Sequence, residues 1–163
     1  MPSLLSRYFE GATGVVVDAS APEVFAAVTD IERLPTWNTH IRRVVEAPKG
    51  LLDVGVEWVV LISAMGSTWH SRARVLAYDP TAHRFEHESR SDDGNPSWAQ
   101  WRWQVTSLPL GRSRLSVAWT IHPRTFWRQL LFSKLRHSQL DAEVPASLAQ
   151  LAKRVEEARR SAA

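Results

Sequence analysis

Between Arg42 and His122 the chain repeatedly alternates side-chain character with a period of two, interrupted by short turn-forming runs. Successive side chains on an extended strand point to opposite faces, so this rhythm predicts strands that bury one side and wet the other. The segments fall at 42–47, 55–63, 67–78, 83–90, 97–107 and 113–122. Turn chemistry separates them: Pro48-Lys49-Gly50, Ala64-Met65-Gly66, Asp79-Pro80, Asp92-Asp93-Gly94-Asn95-Pro96 and Pro109-Leu110-Gly111. Connections this short join antiparallel neighbours, which predicts a meander.

Helical signals bracket the meander. Gly14–Ala19 reads as a first short strand. Ser20 or Ala21 then stands where an N-cap belongs, Pro22 suits the first helical turn, and Glu23 favours its dipole. Val24, Phe25 and Val28 form one apolar face, predicting a helix over 22–29, with a second short helix over 31–36. After Pro123 the helical period returns through Phe126, Trp127, Leu130, Leu131 and Leu135, then Val144, Leu148, Leu151 and Val155. Pro145 lies between them and either begins a fresh helix or sits within one long one. The predicted class is α+β, one domain over 1–163: a strand, two short helices, six strands and a long C-terminal helix.

Charged residues label the wet face of each strand. Glu57 puts Val56, Trp58, Val60 and Ile62 inside; His70, Arg72 and Arg74 put Trp69, Ser71, Ala73 and Val75 inside. Arg84, Glu86, Glu88 and Arg90 leave Phe85, His87 and Ser89 inside. Arg102 and its neighbours oppose Ala99, Trp101, Trp103 and Val105, while Arg114 opposes Leu115, Val117, Trp119 and Ile121. Val59 and Leu61 are apolar on the outer side, which means either a homodimer patch or an inverted face label. Five of the chain's eight tryptophans thus share the inner face. Two arrangements fit them: a solid core between sheet and helix, or the rigid walls of a cavity.

Composition removes several functions. Without cysteine there is no disulfide, thiolate metal site or cysteine nucleophile. The N-terminal Met1–Arg7 lacks the apolar stretch of a secretory signal, and no run of about 18 apolar residues occurs. A cytoplasmic protein is expected. The formal charge of +3 comes from dispersed arginines, unlike the concentrated basic face of a nucleic-acid binder.

Four motifs in order resemble the START/Bet v 1-like superfamily, and within it the polyketide cyclase/dehydrase-like SRPBCC proteins. Val15–Asp30 is similar to a strand running into "A-P-x-x-V-F-x-x-(I/V)-x-D". Leu34-Pro35-Thr36-Trp37 matches a tryptophan after the second short helix. Val75-Leu76-Ala77-Tyr78-Asp79-Pro80 is like "V-x-x-Y-D-P", and Ala146–Glu156 like the final "S-L-x-x-L-K-x-x-x-E" helix. The resemblance implies a helix-grip fold: a curved antiparallel sheet of about seven strands around a long C-terminal helix, enclosing a hydrophobic pocket.

The chemistry available is sparse. Of the histidines at 40, 70, 83, 87, 122 and 137, none has a metal-ligand spacing. His70 and His83 read as exposed, and His87 alone points inward, making it the best catalytic candidate. His87-Glu88 is no dyad, because strand neighbours face opposite sides. Arg102 points out unless a bulge shifts its register. Trp37, Asn38 and His40 lie near the expected pocket opening, as its rim or as a packed loop. No cofactor or phosphate motif occurs, and no metal or cofactor is expected. The predicted function is binding of a small hydrophobic, aromatic or polycyclic ligand by Trp37, Trp58, Trp69, Ser71, Phe85, His87, Trp101, Trp103 and Trp119. A polyketide cyclase/dehydratase-type enzyme and a lipid or quinone carrier are the alternatives. Membrane contact through Trp127 and Phe132 is disfavoured, since nearby charges do not segregate.

Overall fold

The computed structural model describes residues 8–94, 96–124 and 133–163. Within them the elements run β1 (Phe9–Val17), α1 (Ala21–Thr29), a 3-10 helix (Ile31–Thr36), β2 (Ile41–Glu46), β3 (Glu57–Ala64), β4 (Ser67–Asp79), β5 (Arg84–Ser91), β6 (Trp98–Leu108), a short 3-10 turn (Pro109–Gly111), β7 (Arg112–His122) and α2 (Ser133–Ala162). All strands join one antiparallel sheet in the order β1-β7-β6-β5-β4-β3-β2. The meander is therefore present, and β1 closes onto its last strand. The predicted apolar face over Phe126, Trp127, Leu130 and Leu131, with Phe132, lies outside the described residues.

Three local results refine the predicted elements. First, β1 begins five residues earlier than its valine run suggests, at Phe9 rather than Gly14. The extension carries Gly11, directly opposite Trp119 on β7. A Cβ at Gly11 would overlap the Trp119 indole. Glycine here is a packing requirement that period-two reading misses. Second, a register shift between Val75 and Ala77 reverses the alternation in β4. Tyr78 consequently turns inward, its ring 5.9 Å from Phe25 and 6.3 Å from Phe85. Third, β2 carries two register irregularities against β3, between Ile41 and Arg43 and between Val44 and Glu46.

Ser20 caps α1 in a reciprocal capping box: the Glu23 amide donates to Ser20 Oγ at 3.4 Å and the Ser20 amide to Glu23 Oε2 at 2.9 Å. Helix α2 is continuous through Pro145. It buries Leu140, Val144, Leu148, Leu151 and Ala152 against the sheet. Leu135 does not continue that face; it is 60% exposed. The far end of α2 is tied down at Asp18, whose amide donates to Glu156 at 3.0 Å and whose carbonyl accepts from Arg159 at 2.8 Å.

Val59 is 1% exposed although it lies on the outer face. Its cross-strand partners are Glu46 and Arg72, and Arg72 also pairs with Glu57 at 3.5 Å and Asp92 at 3.3 Å. Arginine stems cover apolar surface while their charged heads stay wet. The Glu57 face label holds; of the two outer apolar residues Val59 is covered, while Leu61 stays half-buried. Arg102 also remains outside: β6 keeps its register, and Arg102 Nη2 donates to Thr120 Oγ1 at 3.2 Å. His83 departs from its exposed assignment, standing half-buried with its ring centre 5.5 Å from that of Phe25 in an edge-on arrangement.

Gly11→Ala should lose about 1–3 kcal/mol in urea unfolding, typical of overpacking. The loss should shrink in a Trp119→Phe background; equal losses in both backgrounds would rule out the Gly11–Trp119 clash as the cause.

Candidate functional site

The inner face of the sheet does not close completely against α2. A cavity of about 110 Å³ remains, walled by β3 to β6, the segment after the 3-10 helix, and α2. A larger cleft of about 370 Å³ adjoins it. Ile62, Ser71, Ser89, Trp101, Arg136 and Leu140 belong to both walls. An apolar cavity of roughly 150 Å³ holds one benzene ring, whereas drug-sized sites span roughly 300–1,000 Å³. The inner space therefore suits a single ring, and a larger guest extends into the cleft.

Alternation along β3, β4, β5 and β6 puts Trp58, Ser71, Phe85, His87, Trp101 and Trp103 on the inner cavity wall, and Trp37 joins them from the loop before β2. The other two tryptophans named from sequence go elsewhere. Trp69 lines the outer cleft. Trp119 is 1% exposed and fills the core beside Gly11. So neither the solid core nor the open cavity describes all the inner tryptophans.

The aromatic wall is held by polar links between rings. Trp101 Nε1 donates to Ser89 Oγ at 3.1 Å, and Trp103 Nε1 donates to His87 Nε2 at 3.2 Å. The second bond makes Nε2 an acceptor and assigns the imidazole proton to Nδ1. Trp58 and Phe85 flank the same ring at 5.3 and 5.2 Å. Enclosure by these rings pulls the His87 pKa down from 6.5 to about 3, a loss of solvation that the Glu88 backbone only partly opposes. At neutral pH His87 is an uncharged wall residue whose one acceptor atom is already used. That is poor equipment for a general base.

Titratable groups gather instead where α2 meets the start of β2. The His40 Nε2 lies 2.7 Å from Glu143 Oε2. The carboxylate sits off the ring N–H direction, so this is a close polar contact rather than an aligned hydrogen bond. His40 Nδ1 is 3.3 Å from the Ser63 carbonyl. Arg136 Nη1 donates to Gln139 Oε1 at 2.9 Å and Glu143 Oε2 at 3.4 Å, with its guanidinium 5.6 Å from the Trp69 ring. The loop is fixed from both sides: Asn38 Oδ1 accepts from the His40 amide at 3.1 Å, and the buried Ser147 Oγ accepts from the Thr39 amide at 3.2 Å. Burial raises Glu143 to about 7 despite the neighbouring Arg136, and lowers His40.

For Asn38 and His40 the sequence left a rim and a packed loop both open; both residues line the cavity. Arg136 and Glu143 were not singled out. Their signal is the helical stripe itself: Arg136, Leu140, Glu143 and Ser147 follow at spacings of four, three and four, on the buried side of α2. A charged residue within an apolar stripe marks a place where the helix faces something other than packed carbon. Among the described residues no cluster of three or more His, Asp or Glu could hold a metal ion, and no helix is long and apolar enough to cross a membrane.

A long helix gripping a seven-stranded curved sheet around an aromatic-walled cavity defines a helix-grip protein. The chain belongs to the family described as polyketide cyclase / dehydrase and lipid transport, whose sequence profile matches residues 10–156. No curated protein matches it significantly. Among solved structures it is similar to the aromatase/cyclase ZhuI of Streptomyces sp. R1128, at 14% identity and TM-score 0.76, covering 96% of this chain and 98% of that one. It is also similar to Ara h 8.0201, at 14% identity and TM-score 0.72 over 93% and 99% of the two chains. Norcoclaurine synthase of Thalictrum flavum aligns at 10% identity and TM-score 0.68 over 94% and 90%. At such identities these likenesses establish the shared fold.

His87 takes up a proton near pH 6.5 when unfolded but near 3 when folded. Its contribution to stability is therefore present above 6.5 and disappears as pH falls through that interval. Between about pH 7 and pH 4 the native state should lose about 3 kcal/mol through this residue. Chemical denaturation should show a shallower acid dependence in His87→Gln; an unchanged slope would mean that His87 does not control it.

Proposed function

We propose that this protein binds a small planar hydrophobic molecule, with one ring in the inner cavity and the remainder in the adjoining cleft. The cavity itself carries the reading. Protein interiors pack closely and leave few voids larger than a water molecule. Here a space of about 110 Å³ persists among large rigid rings, beside small Ser71, Ala73 and Ser89. Apolar contact supplies the affinity, at about 25 cal/mol per Å² removed from water. Ser71 is better placed than His87 to orient the guest, since Trp103 already occupies the His87 acceptor. The cysteine-free composition supports a cytoplasmic setting.

One observation favours a second reading, an enzyme of the cyclase/dehydratase type: a carboxyl and an imidazole 2.7 Å apart border an apolar pocket. In that reading the acid–base role passes from His87 to His40 and Glu143. Turnover of a polyketide-type substrate would survive His87→Gln and collapse in Glu143→Gln. The carrier reading relies on Trp127 and Phe132, which lie outside the described residues.

A neutral naphthalene probe, 2-naphthalenemethanol, should quench the intrinsic tryptophan fluorescence saturably. Ala73→Leu, which fills the cavity from β4, should weaken that binding by at least roughly tenfold without changing the circular dichroism of the fold. If the filled variant bound as well as the parent, the guest would lie elsewhere and the reading would fail.

A further inference from the structure

We propose that the guest of this pocket carries a carboxylate, which seats against Arg136 where the inner cavity meets the outer cleft. The inference rests on the ligand-binding reading above and adds the chemical class of the ligand.

Position comes first. Of the six described residues shared by the two walls, Arg136 alone carries a charge. Its side chain is 17% exposed. A guanidinium offers five N–H donors in a fork that matches a carboxylate, and the two bonds to Gln139 and Glu143 both use Nη1.

Charge comes second. Glu143 looks like a counter-ion for Arg136, but its proton balance says otherwise. The Ser63 carbonyl can only accept, so His40 Nδ1 holds a hydrogen. With His40 neutral and Glu143 ionised, two electron-rich atoms, Nε2 and Oε2, would stand 2.7 Å apart with no hydrogen on either. That approach is repulsive, so one more proton resides on the pair. Whether it sits on Oε2 or Nε2, His40 and Glu143 together are neutral. Among the described residues, the other titratable or charged groups bordering this junction are His87 on β5, which is neutral, and Arg90 and Asp93 in the outer cleft, which oppose one another in sign. While that proton is held, no whole negative charge among the described residues balances Arg136, and burial lowers its pKa against the opposing pull of Glu143. A ligand carboxylate supplies the missing negative charge.

Acidity sets a limit on this seat. Burial holds the Glu143 carboxyl at about 7. Above that pH the pair gives up its proton, Glu143 balances Arg136 itself, and an incoming carboxylate meets repulsion. Carboxylate binding should therefore weaken as pH rises through about 7, while binding of an uncharged analogue should not change.

The test compares 2-naphthoate with 2-naphthalenemethanol by tryptophan quenching on the full chain at about pH 6 and about pH 8.5. Naphthoate should bind at least roughly tenfold tighter at the lower pH, as a charge-assisted contact implies, and the preference should shrink at the higher pH. Arg136→Gln should erase the preference and leave the alcohol's affinity intact. Glu143→Gln should keep the preference at both pH values. Equal binding of the two probes by the parent protein overturns the proposal while leaving the pocket reading standing, and needs no variant to fold. A preference that survives Arg136→Gln also overturns it. If neither probe binds, the ligand-binding reading itself falls, and this inference with it.

Discussion

The inner face of the sheet is largely apolar from β3 to β7, and the buried stripe of α2 covers it together with α1 and the 3-10 helix. Leu140, Val144, Leu148 and Leu151 are nearly inaccessible. Their contribution is of the order of 1.5–3 kcal/mol per fully buried side chain. Everything at the site follows from how that cover is attached. Asp18 clasps Glu156 and Arg159 near its C-terminal end, and the Thr39–Ser147 bond fastens its middle to the loop before β2. On the N-terminal side of Ser147, through Arg136, Leu140, Glu143 and Val144, the helix approaches the tryptophan wall without meeting it fully, and the cavity is the remainder.

Most of this arrangement is legible in the sequence because a strand that buries one face must alternate. Charged residues on β5 and β6 were enough to turn Phe85, His87, Trp101 and Trp103 inward. Alternation fails where the backbone departs from it. The irregularity at Val75 and Ala77 brings Tyr78 inside, and no residue near it announces a bulge. Gly11 looks like a poor strand former until Trp119 is placed opposite it, a pairing between residues more than a hundred positions apart. Helix α2 hid its charged residues differently. Arg136 and Glu143 sit within the buried stripe, but polarity alone assigns such residues to the solvent side.

The redistribution of roles within the site has a common physical origin. Burial among rings makes His87 neutral and inert, because an imidazolium there would lack solvent and a counter-charge. The same loss of solvent where α2 meets the loop before β2 raises Glu143 and depresses His40. One wall of the cavity is thus electrically silent, and the other is chemically responsive near neutrality.

The irregular edge strand has a consequence for the protein's life in a crowded solution. An edge strand exposes unpaired amide and carbonyl groups that can template pairing with another chain. Here β2 is six residues long, its pairing with β3 is twice irregular, and Arg42, Arg43 and Glu46 project from it into solvent. A second sheet approaching this rim would find neither a straight ladder nor an uncharged surface. The strand that follows the cavity's polar rim therefore also guards this edge of the sheet against edge-to-edge aggregation.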